Sequence, residues 1–413
     1  MLKNVTHAKC VRCGAEYEAV PGLTTCTCGG MLDIQYDYGY IRTLVSRETL
    51  SGCRDYSMWR YRPFLPVEPD SPPTPLRVGW SPLYPAPRLA QVLGLKALYI
   101  KDDGQNPTSS LKDRASAMAV VKAREAGADT IACSSTGNAA SSLAGNAAAA
   151  GLSTYIFVPS RAPKGKVAQL MIFGATVISV DGSYEDTFAL SKTAIDRWGW
   201  YNRNAAINPY LSEGKKTVTF ELMEQLGWQV PDYVALSVGD GCTIAGVWKG
   251  FRDLYETGFI DKLPRLISVQ AEGCCPLNRA LQTGEDWRPM EENTLADSIA
   301  VGVPRNAGKA LNAVRESGGI AVNVSDEEIL EAMRLLGRTQ GVFGEPAGVT
   351  GAAGVKKALE LGLLDPETTV VSIVTGNGLK DVQSGIKAAG EPMLVRPDLD
   401  ALLSAFAARG IRP

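Results

Sequence analysis

Asn106-Pro107-Thr108-Ser109-Ser110-Leu111-Lys112-Asp113-Arg114 sets one lysine in a Pro/Ser-rich turn between two regular elements. The extended run Ala97-Leu98-Tyr99-Ile100 precedes it, and the helix-forming run Ala115-Ser116-Ala117-Met118-Ala119-Val120 follows. This order predicts a strand-to-helix junction with the Lys112 ammonium near a helix N-terminus. Partial positive charge and an apolar wall both disfavour the protonated amine there, and an amine that loses its proton readily can form a Schiff base with a carbonyl compound. Taken alone, a Lys-Asp-Arg triplet opening a helix is more often an ordinary solvated first turn, so the rest of the chain has to decide.

On either side the chain alternates short apolar runs with longer helical patterns. Candidate strands are 97–101, 130–133, 154–158, 176–180, 233–238, 266–269 and 369–374, and helical periodicity marks 164–173, 185–198, 213–226 and 247–255. Such alternation predicts an α/β fold: open, mostly parallel sheets with helices on both faces and ligands at the carboxyl ends of the strands. A length of 413 residues favours more than one compact unit. From 41 to 75 the sequence is rich in Trp, Tyr and Pro, with Pro63, Pro66, Pro69, Pro72, Pro73 and Pro75 forbidding long regular structure. It reads as a connecting arm on the main body.

Formal charge is balanced at −2, which leaves no basic field for nucleic acid or an anionic membrane. No apolar run is long enough to span a bilayer, and the first residues lead into polar sequence, so a cytoplasmic protein is expected. The chain has one histidine, His7, in what reads as a loose terminus. A Ser-His-Asp or Cys-His hydrolase and a histidine-built catalytic metal site are thereby disfavoured. A general base has to be lysine, carboxylate or tyrosine. Four of the nine cysteines fall in two knuckles, Cys10-Val11-Arg12-Cys13-Gly14 and Cys26-Thr27-Cys28-Gly29-Gly30. Four thiolates can close a tetrahedral zinc site, and a full set of sulfur ligands makes it a staple with no open position for substrate.

Three further loops each follow a predicted strand. Ser134-Ser135-Thr136-Gly137-Asn138 opens an Ala-rich helix, where hydroxyls and free amides can cradle a carboxylate and Asn138 can reach a phenolic oxygen. Gly239-Asp240-Gly241-Cys242-Thr243 allows backbone amides to close around a phosphate, with a hydroxyl from Thr243. It matches neither the dinucleotide fingerprint nor the nucleotide P-loop. Val374-Thr375-Gly376-Asn377-Gly378 ends a buried strand in a hydroxyl and a glycine turn. A lysine for an aldehyde, an amide for a phenolic oxygen, a nest for a phosphate and a hydroxyl for a ring nitrogen together describe pyridoxal 5′-phosphate.

These stretches, with Thr74-Pro75-Leu76, Ser81-Pro82-Leu83-Tyr84, Glu213-Gly214-Lys215-Lys216-Thr217 and Glu345-Pro346-Ala347, resemble the threonine synthases over nearly the whole chain. Those enzymes belong to the tryptophan-synthase-β-like, fold type II pyridoxal-phosphate family. The resemblance implies that Lys112 is the Schiff-base lysine and proton shuttle and that Asn138 lies on the cofactor O3′. It places Gly239, Asp240, Gly241, Cys242 and Thr243 around the phosphate and Thr375 on the pyridine nitrogen. Ser135, Thr136 and Asn138 are expected around the substrate, O-phospho-L-homoserine, which would give threonine and phosphate. A homodimer is implied as well. The expected division is a zinc-ribbon-like segment at 1–40, a larger cofactor-binding domain from 41–110 and 207–413, and a smaller mobile domain at 111–206.

The chain departs from that family at one place. Many threonine synthases carry an Asn-Ser pair and an arginine for the substrate phosphate just before Glu-Gly-x-Lys-Thr, whereas this chain has Ala205, Ala206 and Leu211, which carry no charge. Arg203, Lys164, Lys166 or Lys215 could neutralise a phosphate instead, or each could be a solvated surface charge. Without such a charge, the expected activity shifts to β-replacement or β-elimination on another activated amino acid, such as cysteate synthesis from O-phosphoserine and sulfite. A catalytically silent ribbon protein is the reading from a different class, and it would purify colourless.

Overall fold

The computed structural model describes residues 2–162, 164–205 and 207–412, without the side chain of Tyr184. Ala206 therefore lies outside the described residues. Near-continuous apolar runs give strands buried on both faces, as in Tyr233–Ser237, where all five residues are buried. Full burial of side chains such as Val234 and Leu236 contributes roughly 1.5–3 kcal/mol each. A six-stranded sheet runs Ile320–Val324, Arg265–Ala271, Tyr233–Ser237, Thr369–Val374, Ala97–Asp102 and Leu83–Pro85. The first five strands are parallel and the last pairs antiparallel. A second sheet, all parallel, runs Thr176–Val180, Ser153–Pro159, Thr130–Ser134 and Tyr201–Asn202.

Small residues let helices lie close at the junction of the two sheets. Lys112–Glu125 packs on the Ala-rich Asn138–Ala150, and the Ser116 and Ser142 hydroxyls meet at 2.7 Å in the contact. Gly145 is required there, because a Cβ would come within 2.7 Å of the Thr108 methyl.

Several expectations need correction. His7 is not in a loose end but lies within the strand Val5–Cys10, the centre of a three-stranded antiparallel sheet with Glu16–Tyr17 and Leu32–Tyr36. Val5, Ala8 and Cys10 turn inward along it, which supplies the burial that ties the terminus down. The helix read as 213–226 is two, Tyr210–Lys215 and Thr217–Gln225. The arm holds the helices Tyr38–Leu44 and Arg47–Ser51 and the 3-10 turn Met58–Phe64, each started by a side-chain cap from Asp37, Ser46 or Ser57. The two helices lie before the first of the six prolines and the 3-10 turn contains it, so the proline-rich part itself carries no long regular element.

The N-terminal sheet is fastened to the body by charge. Asp33 pairs with Lys249 at 3.2 Å and Lys309 at 2.6 Å. The Tyr36 hydroxyl donates to Glu213 at 2.5 Å, and Lys216 bridges Glu213 and Asp253 at 2.6 Å each.

Beneath the Lys112 turn sits a fully buried quartet. Arg114 reaches Asp103 at 2.7 Å and Glu221 at 2.5 Å, and Lys101 reaches Glu221 at 3.0 Å. Two positive and two negative charges cancel, so none is left uncompensated. Burial alone would raise the Glu221 carboxyl, but Arg114 and Lys101 hold it down at about 2, against 4.5 for an ordinary glutamate. Its contribution to stability is therefore present above pH 4.5 and is lost as pH falls through about 2. Glu221→Gln should leave Arg114 and Lys101 sharing Asp103 and destabilise the fold by about 3–5 kcal/mol. Denaturant unfolding measures this, and a change under 1 kcal/mol would count against the quartet as a structural unit.

Candidate active site

Four loops meet at the carboxyl ends of the parallel strands. The Lys112 turn and the Thr375 loop are stitched together: Leu111 N donates to the Thr375 carbonyl at 2.9 Å and Asn377 N to the Ser109 carbonyl at 3.0 Å. The turn is held from within as well. Asp113 accepts from Thr108 N and Oγ1 at 2.8 and 2.9 Å and from Asn146 Nδ2 at 2.8 Å. Ser109 stands at φ 67°, a left-handed conformation that costs a non-glycine residue about 1 kcal/mol or more and persists because these bonds enforce it. Lys112 is the first residue of its helix. The residue as a whole is half-buried, and its ammonium makes no hydrogen bond or ion pair with the described residues.

Burial is the largest influence on that amine, followed by the charges of Lys215 and Arg203. Together they bring it down to about 8 from 10.5. Of the two causes the sequence suggested, the apolar wall is the leading one, and two neighbouring cations add to it. Both neighbours are unusual. Lys215 is 2% exposed and has no carboxylate partner among the described residues, and Arg203, also 2% exposed, finds only the Ser116 hydroxyl, at 3.1 Å from two of its nitrogens. Burial lowers both from their ordinary values. The other two basic candidates lie differently: Lys164 is exposed, and Lys166 pairs with Asp297. Leu211 is buried. Three cations, none of them ion-paired among the described residues, make a place for an anion.

The remaining loops present donors to the same cleft. Gly239 and Gly241 are demanded by close approach: a Cβ would lie 2.8 Å from Ile299 Cα at the first and 2.5 Å from Ala310 Cβ at the second, where φ is +85°. Asp240 is committed locally, accepting from Arg305 N at 2.6 Å and from the Cys242 thiol at 3.3 Å. It can offer an anion its backbone amide only. Burial pushes the Cys242 thiol up to about 11, so it is neutral and no nucleophile. Thr243 lies in the first turn of Cys242–Glu256, whose leading amides are an anion site by helix geometry. Ser135 Oγ accepts from Gly137 N at 3.2 Å, which shapes the turn before Asn138–Ala150, and Thr136 beside it is half-buried. Asn138 Nδ2 donates to Glu345 Oε1 at 2.6 Å. Thr375 is half-buried and its hydroxyl has no partner among the described residues. An aldehyde-reactive amine, a glycine cradle at a helix start, a free hydroxyl and an amide donor fit pyridoxal phosphate chemically. Glu345 was missed as a site residue, and its place before Pro346 was the available signal.

In the N-terminal sheet the ligand atoms of Cys10, Cys13, Cys26 and Cys28 lie within 4.8 Å of one another. Cys10 meets Cys28, and Cys13 meets Cys26, at 3.6 Å, close to the sulfur–sulfur edge of about 3.8 Å around a tetrahedral zinc with Zn–S near 2.3 Å. Gly30 admits the cluster, since a Cβ would stand 2.6 Å from Cys10 Sγ.

A family model described as pyridoxal-phosphate dependent enzyme matches residues 75–376. The chain is 42% identical over 397 residues to the threonine synthase of Methanocaldococcus jannaschii, covering 95% of this chain and 98% of that one. To the threonine synthase of Methanosarcina acetivorans it is 43% identical over 405 residues, covering 97% and 98%. Among solved structures, processed threonine deaminase isoform 2 from Solanum lycopersicum is similar with a TM-score of 0.64 and 21% identity, covering 75% of this chain and 87% of that chain, a likeness of fold.

In the cofactor-free protein, labelling of Lys112 by an amine reagent should rise with pH and level off above about 8. Lys215→Met should move that midpoint upward, because one repelling charge is gone. Peptide-resolved labelling across pH measures it. A midpoint near the 10.5 of an ordinary lysine would contradict the electrostatic account.

Proposed function

The chain belongs to the pyridoxal-phosphate-dependent enzymes and, within them, to the threonine synthases, and from that premise we propose that it converts O-phospho-L-homoserine and water to L-threonine and phosphate. Lys112 would hold pyridoxal phosphate through its aldehyde, Asn138 would meet the phenolic oxygen and Thr375 the ring nitrogen. Gly239, Asp240, Gly241, Cys242 and Thr243 would close on the phosphate, Asp240 by its backbone. When bound, this cofactor supplies an electron sink for charge developing beside an amino-acid nitrogen. A neutral hydroxyl at 375, in place of a carboxylate, would moderate that sink.

The protein's own groups supply the rest. Lys112, able to stand uncharged near neutral pH, moves protons at the substrate Cα and Cβ, acting first as base and then as acid. With the one histidine away in the N-terminal sheet, no imidazole competes for the task. Ser135 and Thr136, with the amides that open Asn138–Ala150, would take the substrate carboxylate. The observation that carries a phosphorylated substrate is the pair Arg203 and Lys215, buried and without carboxylate partners, where Ala205 and Leu211 offer no charge. O-phosphoserine would satisfy the same pair, so a β-replacement such as cysteate formation is the reading to be separated by product.

The two separate sheets support a larger domain from 41–110 and 207–413 and a smaller mobile one at 111–206. We read the segment at 1–40 as a zinc ribbon held by Cys10, Cys13, Cys26 and Cys28. Nine free cysteines support a reducing, cytoplasmic setting, and the family resemblance supports a homodimer. No described helix is long and apolar enough to cross a membrane.

Incubated with O-phospho-L-homoserine, the purified protein should release threonine and phosphate in equal amounts, and with O-phosphoserine plus sulfite it should form no cysteate. The reverse pattern would sink the assignment. Lys215→Ala should lower kcat/KM for phosphohomoserine by about 30-fold or more, the worth of roughly 2 kcal/mol for a buried charge facing its anion. Zinc released on thiol modification should amount to one ion per chain, and Cys26→Ser should lose it and expose the N-terminal segment to protease. Retention of full zinc by that variant would exclude the four-sulfur site.

A further inference from the structure

Glu345 precedes the helix Pro346–Glu360 at its N-cap position, yet its side chain caps no amide of that helix. It turns into the cleft instead, where it is 5% exposed and has no ion pair within 4.0 Å among the described residues. Gly376 makes the room: a Cβ there would lie 2.1 Å from Glu345 Oε1. Backbone bonds fix the approach, with Glu345 N donating to the Gly376 carbonyl at 3.0 Å and Gly348 N to the Glu345 carbonyl at 2.8 Å. Lys380, Lys112 and Lys166 act on the carboxylate through their charge alone, and burial raises it to about 7. Lys380 itself is held by Ser141 and Gln169, and Lys166 by Asp297. Burying a carboxylate in this way lowers stability, and the bond it makes shows what the arrangement achieves.

That bond is to Asn138 Nδ2, at 2.6 Å, across the cleft from the six-stranded sheet to the helix that follows Thr130–Ser134. An asparagine amide can present either its oxygen or its nitrogen to a ligand, and the two ends are close in shape. A carboxylate oxygen accepts strongly and selects the nitrogen end. The same NH2 group carries a second hydrogen, free for another acceptor.

We propose that Glu345 is the positioning residue for Asn138: from across the cleft it fixes the amide so that N–H, not C=O, faces the phenolic oxygen of the cofactor, and thereby favours the anionic form of that oxygen. The inference rests on the reading of the cleft as a pyridoxal-phosphate site.

The test uses holoenzyme reconstituted with pyridoxal phosphate. Loss of the N–H donor moves absorbance from the visible band of the phenolate form to the near-ultraviolet band of the neutral phenol form. Glu345→Ala should shift that ratio by about tenfold, the worth of one charge-assisted hydrogen bond. Glu345→Gln, whose amide oxygen still accepts from Asn138, should stay within about twofold of wild type. Asn138→Ala should reproduce the Glu345→Ala spectrum, and the double variant should add nothing further. An unshifted Glu345→Ala spectrum, a Gln variant as shifted as the Ala variant, or additive effects in the double variant would each overturn the proposal. Should Glu345→Ala fail to fold, Asn138→Ala and Glu345→Gln still decide: the first has to shift and the second must not. Lys112→Ala separates the underlying reading, since a borohydride-reducible adduct of the cofactor with the protein that survives in that variant rejects the site itself, whatever Glu345 does.

Discussion

Positive charge that is largely held out of water and finds no ion pair among the described residues is the constraint from which the rest of this structure follows. Elsewhere the chain pairs its buried cations with acids: Arg114 and Lys101 with Asp103 and Glu221, Lys216 with Glu213 and Asp253, Arg60 with Glu224. At the cleft it does the opposite. Lys112, Lys215 and Arg203 lean on one another, and burial weakens all three. A fold tolerates such a cluster only when compensated elsewhere, here by the neutral quartet beneath the Lys112 turn and the bonds through Asp113. Burial first and repulsion from Lys215 and Arg203 second give Lys112 its labile proton.

The N-terminal sheet belongs to the same arrangement. Tyr36 reaches Glu213, two residues before Lys215, and Lys216 ties that glutamate to Asp253. The short helix Tyr210–Lys215 therefore shows its cationic end to the cleft while its acid is gripped from behind. The four clustered cysteines stand at the opposite end of that sheet, where Cys10 pairs with Leu32.

Much of the scaffold was legible because it rests on local pattern. The strands at 176–180 and 369–374 have the bounds their β-branched runs suggest, and the four loops stand after the strands that predicted them. His7 was misplaced because a six-residue strand resting on two partners carries too little periodicity to stand out. Arg203 and Lys215 could not be told from Lys164 and Lys166, since composition says nothing about which lysine loses its water. Glu345 is 207 positions from Asn138, and no local signal joins two residues so far apart. Its neighbour Gly376 was visible only as a turn, although its lack of a side chain is what admits the carboxylate.

Lys112, which begins a helix braced against the Thr375 loop and is half-buried, is the amine expected to take the aldehyde, rather than its more deeply buried neighbour Lys215. Borohydride reduction of the cofactor-loaded protein, followed by peptide mass mapping, tests that directly. One adduct per chain, at position 112 with 215 unmodified, is the predicted result. An adduct at 215, or one shared among several lysines, would contradict it.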